Sequence, residues 1–161
     1  MSWQAIRDNP LFRDLPFKFE TNRWGKIEMS PASNRQGFFQ ALITEGLLKF
    51  APGGHPVTEC SIQTADGVKV ADVAWASTGF LQRHGVADPY PEAPEIVVEI
   101  LSPSNTLAEM EEKKALYFAR GARECWICQA DGLMRFYNNH AQLAASALAP
   151  GFPARIELPF A

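Results

Sequence analysis

Two acidic residues interrupt stretches that otherwise read as core strand: Asp72 in Val70-Ala71-Asp72-Val73-Ala74-Trp75, and Glu99 in Ile96-Val97-Val98-Glu99-Ile100-Leu101. A carboxylate removed from water is costly unless a cation, a metal or several donors compensate it. Two of them in one small chain invite a shared explanation. A divalent metal is the economical one, because hard cations such as Mg2+ take oxygen ligands and commonly combine one or two carboxylates with carbonyls, water and substrate phosphate. The plainer alternative pairs each acid with a nearby Arg or Lys, or leaves it on an exposed edge. Strand context alone does not choose between them.

A cation to accompany the acids can come from the segment that follows Glu99. Lys113 falls between Met110 and the pair Leu116 and Tyr117 at helical spacing, so its stem runs along a face that packs inward. Lys114 shares a turn with Leu107, Met110 and Phe118. Periodicity therefore leaves both lysines open, and so does the bland reading of two snorkelling lysines on a helix that also carries Glu109, Glu111 and Glu112.

Cys125-Trp126-Ile127-Cys128 has the spacing of a redox pair or of half a zinc site. On a strand, residues three apart point to opposite faces, whereas a reactive dithiol needs a helix N-terminus to stabilise its thiolate. There is no second such pair, and His55, His84 and His140 lack ligand spacing. The cysteines are read as small buried hydrophobes.

Short alternating elements position these residues. Phe17–Glu20 and Lys26–Met29 read as strands joined through Asn22-Arg23-Trp24-Gly25. Ser33 is an N-cap for a helix whose Phe39, Leu42, Ile43, Leu47 and Phe50 form one apolar face, stopped by Gly53-Gly54. Strands Val57–Thr64 and Lys69–Ala76 follow, with Asp66-Gly67 supplying the positive φ angles of a tight hairpin. A loop comes next, then His84–Pro94 as an extended surface connection, because Pro89, Pro91 and Pro94 lack backbone donors. The most buried strand is Glu95–Leu101. A helix from about Thr106 to Arg120, stopped by Gly121, leads to strands Glu124–Gln129 and Leu133–Tyr137.

The chain has 161 residues, 47% hydrophobic and 20% charged, which suits a single globular domain at about 150 residues per domain. Fifteen basic against eighteen acidic residues, net −3, exclude a strongly basic nucleic-acid coat protein but leave local basic patches open. Three cysteines and the absence of an apolar leader or spanning run lead to the expectation of a cytoplasmic protein.

The stretch Ala93-Pro94-Glu95-Ile96-Val97-Val98-Glu99-Ile100-Leu101-Ser102-Pro103-Ser104, followed by Lys113, Tyr117, Gly121 and Glu124-Cys125-Trp126, resembles the Uma-two (Uma2) family of putative restriction endonucleases, within the PD-(D/E)-x-K nuclease superfamily. Glu20, Gly25, Met29-Ser30-Pro31, Asp72 and Pro150-Gly151-Phe152 look like its remaining landmarks. The resemblance implies a restriction-endonuclease-like α/β fold, a mixed β-sheet flanked by helices, and an Mg2+-dependent (or Mn2+-dependent) endodeoxyribonuclease acting on DNA, expected as a homodimer. By the same resemblance Asp72 and Glu99 hold the metal with the Ile100 carbonyl, Lys113 is the catalytic lysine, and Glu20 supplies an outer ligand. The lysine of a simple Glu-x-Lys arrangement would stand at position 101, which is Leu101, so a helix lysine must replace it, and the resemblance selects Lys113.

Three positions depart from the family's pattern: Ala71 stands for a proline, Asn34-Arg35-Gln36 lacks a histidine, and Gln129 lies near where an acid is common. These departures keep open an alternative, a catalytically inactive nuclease-fold binding or scaffold protein. DNA contacts are expected from Lys18, Arg23, Lys26 and Arg35, for which an ordinary solvated surface is the competing reading.

Overall fold

The computed structural model describes residues 1–160. Two short helices, α1 (Trp3–Arg7) and α2 (Pro10–Arg13), open the chain on side-chain caps from Ser2 and Asn9. Strands β1 (Phe17–Thr21) and β2 (Ile27–Pro31) then form a separate antiparallel pair. Helix α3 (Asn34–Phe50) starts where the Ser33 hydroxyl accepts the Gln36 N–H, and it buries Phe39, Ile43 and Leu47.

Strands β3 (Gly54–Thr64) and β4 (Gly67–Ser77) make a long hairpin. Thr64 pairs with Gly67, so Ala65 and Asp66 form the turn, and positive φ is confined to Gly67 (80°) instead of being shared with Asp66. A side chain at Gly67 would also strike the Thr21 carbonyl, 2.6 Å from an ideal Cβ. After α4 (Thr78–His84) come β5 (Ile96–Ile100), α5 (Leu107–Ala119), β6 (Glu124–Cys128), β7 (Met134–Tyr137) and the short β8 (Gln142–Leu143). Thr106 and Glu109 cap α5 reciprocally, each side chain taking the other's backbone N–H.

The main sheet has the order β3-β4-β5-β6-β7-β8, and only β5 and β6 are parallel, joined by α5 as a crossover. Period-two alternation sends Val73, Trp75, Ile96, Val98, Ile100, Trp126 and Cys128 to the core beneath α3. Ala74, Ala76, Val97 and Cys125 face the other core, with Phe80 of α4 and Tyr117 of α5. The result is a mixed sheet flanked by helices on both faces.

Two expectations are corrected. The segment after β4 begins with a helix, α4, capped by the Ser77 hydroxyl. The proline-rich connection is not wholly superficial either: Tyr90 and Ala93 are buried, and Tyr90 exchanges backbone hydrogen bonds with Ser61 and Gln63 at the edge of β3. Prolines remove donors, yet the residues between them still pair with a free strand edge. Among the described residues, no helix is long and apolar enough to cross a membrane.

Candidate active site

The paired ladder between β4 and β5 ends at Val73 opposite Val98. One step further along the register Asp72 falls opposite Glu99. There the Ile100 N–H goes to Asp72 Oδ2 at 2.7 Å. On the other flank, the β3–β4 ladder skips Glu59, whose φ of 51° is left-handed for a residue with a side chain. The Asp72 carbonyl is taken by Gln40 Nε2 at 2.7 Å, and the same nitrogen donates to Glu59 Oε1 at 2.9 Å. The sheet therefore opens locally around Asp72, and side chains replace backbone as its partners.

Three acids and two lysines meet at this opening. Lys113 reaches down from α5 to Glu20 Oε1 at 2.8 Å and Glu99 Oε1 at 3.4 Å. Tyr117, one turn along, donates its hydroxyl to the same Glu99 oxygen at 2.6 Å. Glu20 also accepts the Val70 N–H at 2.8 Å, which fixes β1 against β4. Lys114 points elsewhere, paired with Glu111 and lying 3.7 Å over the Tyr137 ring. The helix thus divides two equally buried lysines, one to the acids and one to Glu111 and the Tyr137 ring.

Lys18 does not lie on the open surface where DNA contacts were expected. Alternation along β1 puts it on the same face as Glu20, and its ammonium sits 2.9 Å from Asp72 Oδ1 and 3.8 Å from Glu99 Oε2. That i, i+2 spacing of Lys18 and Glu20 was legible in the sequence. Gln36, from the Asn34-Arg35-Gln36 segment that lacks a histidine, donates to Asp72 Oδ1 at 3.1 Å. Of the remaining basic candidates, Arg23 is engaged by Asp66 and Arg35 by the Ala130 carbonyl, while Lys26 is exposed.

Burial works against the charged form of both lysines, but the carboxylates facing them prevail and hold both above the ordinary lysine value. For Lys18 these are Glu99, Asp72 and Glu20; for Lys113 they are Glu99 and Glu20. Both are cations at neutral pH. Burial, reinforced by Glu99, likewise raises the Tyr117 phenol, so it remains a neutral donor.

The cluster lines a cleft of about 310 Å³ that also includes Ser30, Ser102 and Asn105. Its donors are oxygens of Asp72 and Glu99 approaching one point from adjacent strands, a set that fits a small hard cation. Ile100 adjoins the cleft and is tied to Asp72 through its N–H. Among the described residues, no group of three or more His, Cys, Asp or Glu side chains is gathered closely enough to hold a metal without other ligands. Backbone and water oxygens would have to complete such a site.

Cys125 and Cys128 belong to the two different cores, on opposite faces of β6. Burial pushes the Cys128 thiol, like that of Cys60, up to about 12, away from the thiolate.

The sequence model of the Uma2 family, described as putative restriction endonuclease, matches residues 11–156. No curated protein matches the chain in sequence. Among solved structures, a putative nuclease belonging to DUF820 from Anabaena variabilis superposes with a TM-score of 0.68 at 17% identity, over 86% of this chain and 88% of its own. That likeness establishes the shared fold. The DrdV–DNA complex aligns with 65% of this chain and 9% of its own, at 15% identity and a TM-score of 0.43.

Proposed function

Since the chain belongs to the Uma2 family of putative restriction endonucleases, we propose that it hydrolyses DNA phosphodiester bonds at the cleft where Asp72, Glu99 and Lys113 meet. The observation that carries this reading is the reach of Lys113 from α5 to within 3.4 Å of Glu99, although Leu101 leaves the strand itself without a lysine.

Asp72 and Glu99 would hold Mg2+ or Mn2+ with the Ile100 carbonyl. A divalent ion bound there would supply acidity to a water and neutralise phosphate charge. The chain's own residues do the rest. Lys113, kept protonated by Glu99 and Glu20, cannot accept the proton of a water at neutral pH. Its work is to stabilise negative charge developing on phosphate. Glu20 acts through Lys113 as a positioning residue, while Tyr117 and Gln36 fix the free rotation of Glu99 and Asp72.

A second reading, a binding protein of nuclease fold without catalysis, is favoured by one observation: the Lys18 ammonium bridges the acid pair. Plasmid and single-stranded DNA incubated with the purified chain and millimolar Mn2+ or Mg2+ separate the two. The nuclease reading expects strand cleavage that EDTA and Asp72→Asn abolish. Retarded but uncut DNA at saturating metal would decide for the binding protein.

A further inference from the structure

Lys113 and Lys18 stand in different relations to the acids. Lys113 uses Glu99 Oε1 and Glu20, leaving the Asp72 Oδ1 and Glu99 Oε2 side alone. Lys18 uses that side, 2.9 Å from the first oxygen and 3.8 Å from the second, with its side chain only 13% exposed. A hard divalent ion held by both carboxylates would need the same two oxygens at about 2.0–2.6 Å, where an ammonium in hydrogen-bond contact cannot remain. The two cations exclude each other.

The surroundings give the displaced side chain a place to go. Lys18, Phe17 and Glu59 line both the cleft and a larger adjoining cavity of about 530 Å³. Glu59 is exposed there, so its carboxylate can receive an ammonium that leaves Asp72.

We propose that Lys18 is a resident counter-cation of the Asp72–Glu99 pair that competes with a divalent ion, so that ion binding requires its displacement toward the neighbouring cavity. This rests on the metal-binding reading of the cleft. By linkage, the wild-type affinity is lowered by whatever holds Lys18 in place, and removing its charge raises it.

Calorimetric titration of Mn2+ into the full chain and into Lys18→Met tests this. The variant is expected to bind at least about tenfold tighter than wild type. Binding by the variant alone also supports the proposal, and then wild-type metal dependence falls. Equal or weaker binding by the variant overturns the competition while the metal site stands. Binding by neither protein overturns both. Should Lys18→Met fail to fold, wild type carries the test. Acetic anhydride labelling read by mass spectrometry is expected to rise several-fold at Lys18 in Mn2+, with Lys114 as the unchanged reference. Unchanged Lys18 labelling in Mn2+-saturated protein, or no Mn2+ binding by that protein, overturns the competition.

Discussion

Adjacent parallel strands each bury an acid, and the two are compensated in opposite ways. Glu124 on β6 is surrounded by neutral donors: the Trp126 indole at 2.8 Å, the Ser146 hydroxyl at 2.7 Å, and the backbone N–H groups of Ala147 and Leu148 at 2.8 and 3.1 Å. Those donors are fixed in backbone and packed side chains. Glu99 on β5, with Asp72 beside it, is served instead by a phenol and by two ammoniums on flexible stems. Dipoles built into the fold make a structural clamp; cations on long side chains, open to a cleft, make a site whose counter-charge can be exchanged. Burial alone would have put both acids in one class.

The contrast is broken or sharpened first at the acids themselves. Asp72→Asn and Glu99→Gln are expected to lower any DNA cleavage rate by about three orders of magnitude and to abolish Mn2+ binding. Formally three carboxylates face two ammoniums here, so neutralising one acid should shift the melting temperature little. A large melting loss without a rate effect would show that these acids, too, are structural.

Lys113→Met should cost about two to three orders of magnitude in rate, and Lys114→Met far less. Equal losses from both would mean that the division of lysines by α5 has no functional meaning.

Glu124→Ala takes the comparison from its other side. Stranding an indole, a hydroxyl and two backbone donors should destabilise the fold by about 3 kcal/mol, roughly 10 °C for a chain of this size. Mn2+ affinity should stay as in wild type, which calorimetry and thermal denaturation check together. Loss of Mn2+ binding in a folded Glu124→Ala protein would join the two acids into one unit.

The smallest effect lies outside both. Burial would raise the Asp66 carboxyl, but hydrogen bonds from the Arg23 side chain and backbone and from Lys69 prevail and hold it at about 2, below its ordinary 3.8. A lowered carboxyl adds stability above its ordinary value and loses it as pH falls from near 4 through about 2. Denaturant midpoints measured across that window should decline less in Asp66→Asn than in wild type. Parallel declines would show that the hairpin contact adds nothing.

Much of the sheet was legible because alternation of apolar residues carries its own period, and because Ser33, Thr106 and Gly67 mark ends and turns through local chemistry alone. The sequence also singled out Asp72 and Glu99 as acids interrupting core-like strands, and determined that the thiols of Cys125 and Cys128 would face apart on one strand. It did not determine their partners. Lys113 and Lys114 are adjacent on one helix, and only the way α5 packs on the sheet sends one to the acids and the other to Glu111 and Tyr137. Tyr90 looked like loop until a free strand edge supplied hydrogen bonds for it. Lys18 looked like surface, because nothing local says that β1 lies across the open end of β4. Glu124 looked like any other strand residue, since its donors come from Ser146 to Leu148, far along the chain. Periodicity and capping are settled between neighbours in sequence; which charge meets which is settled by contacts between distant segments, and those exist only once the sheet has closed around them.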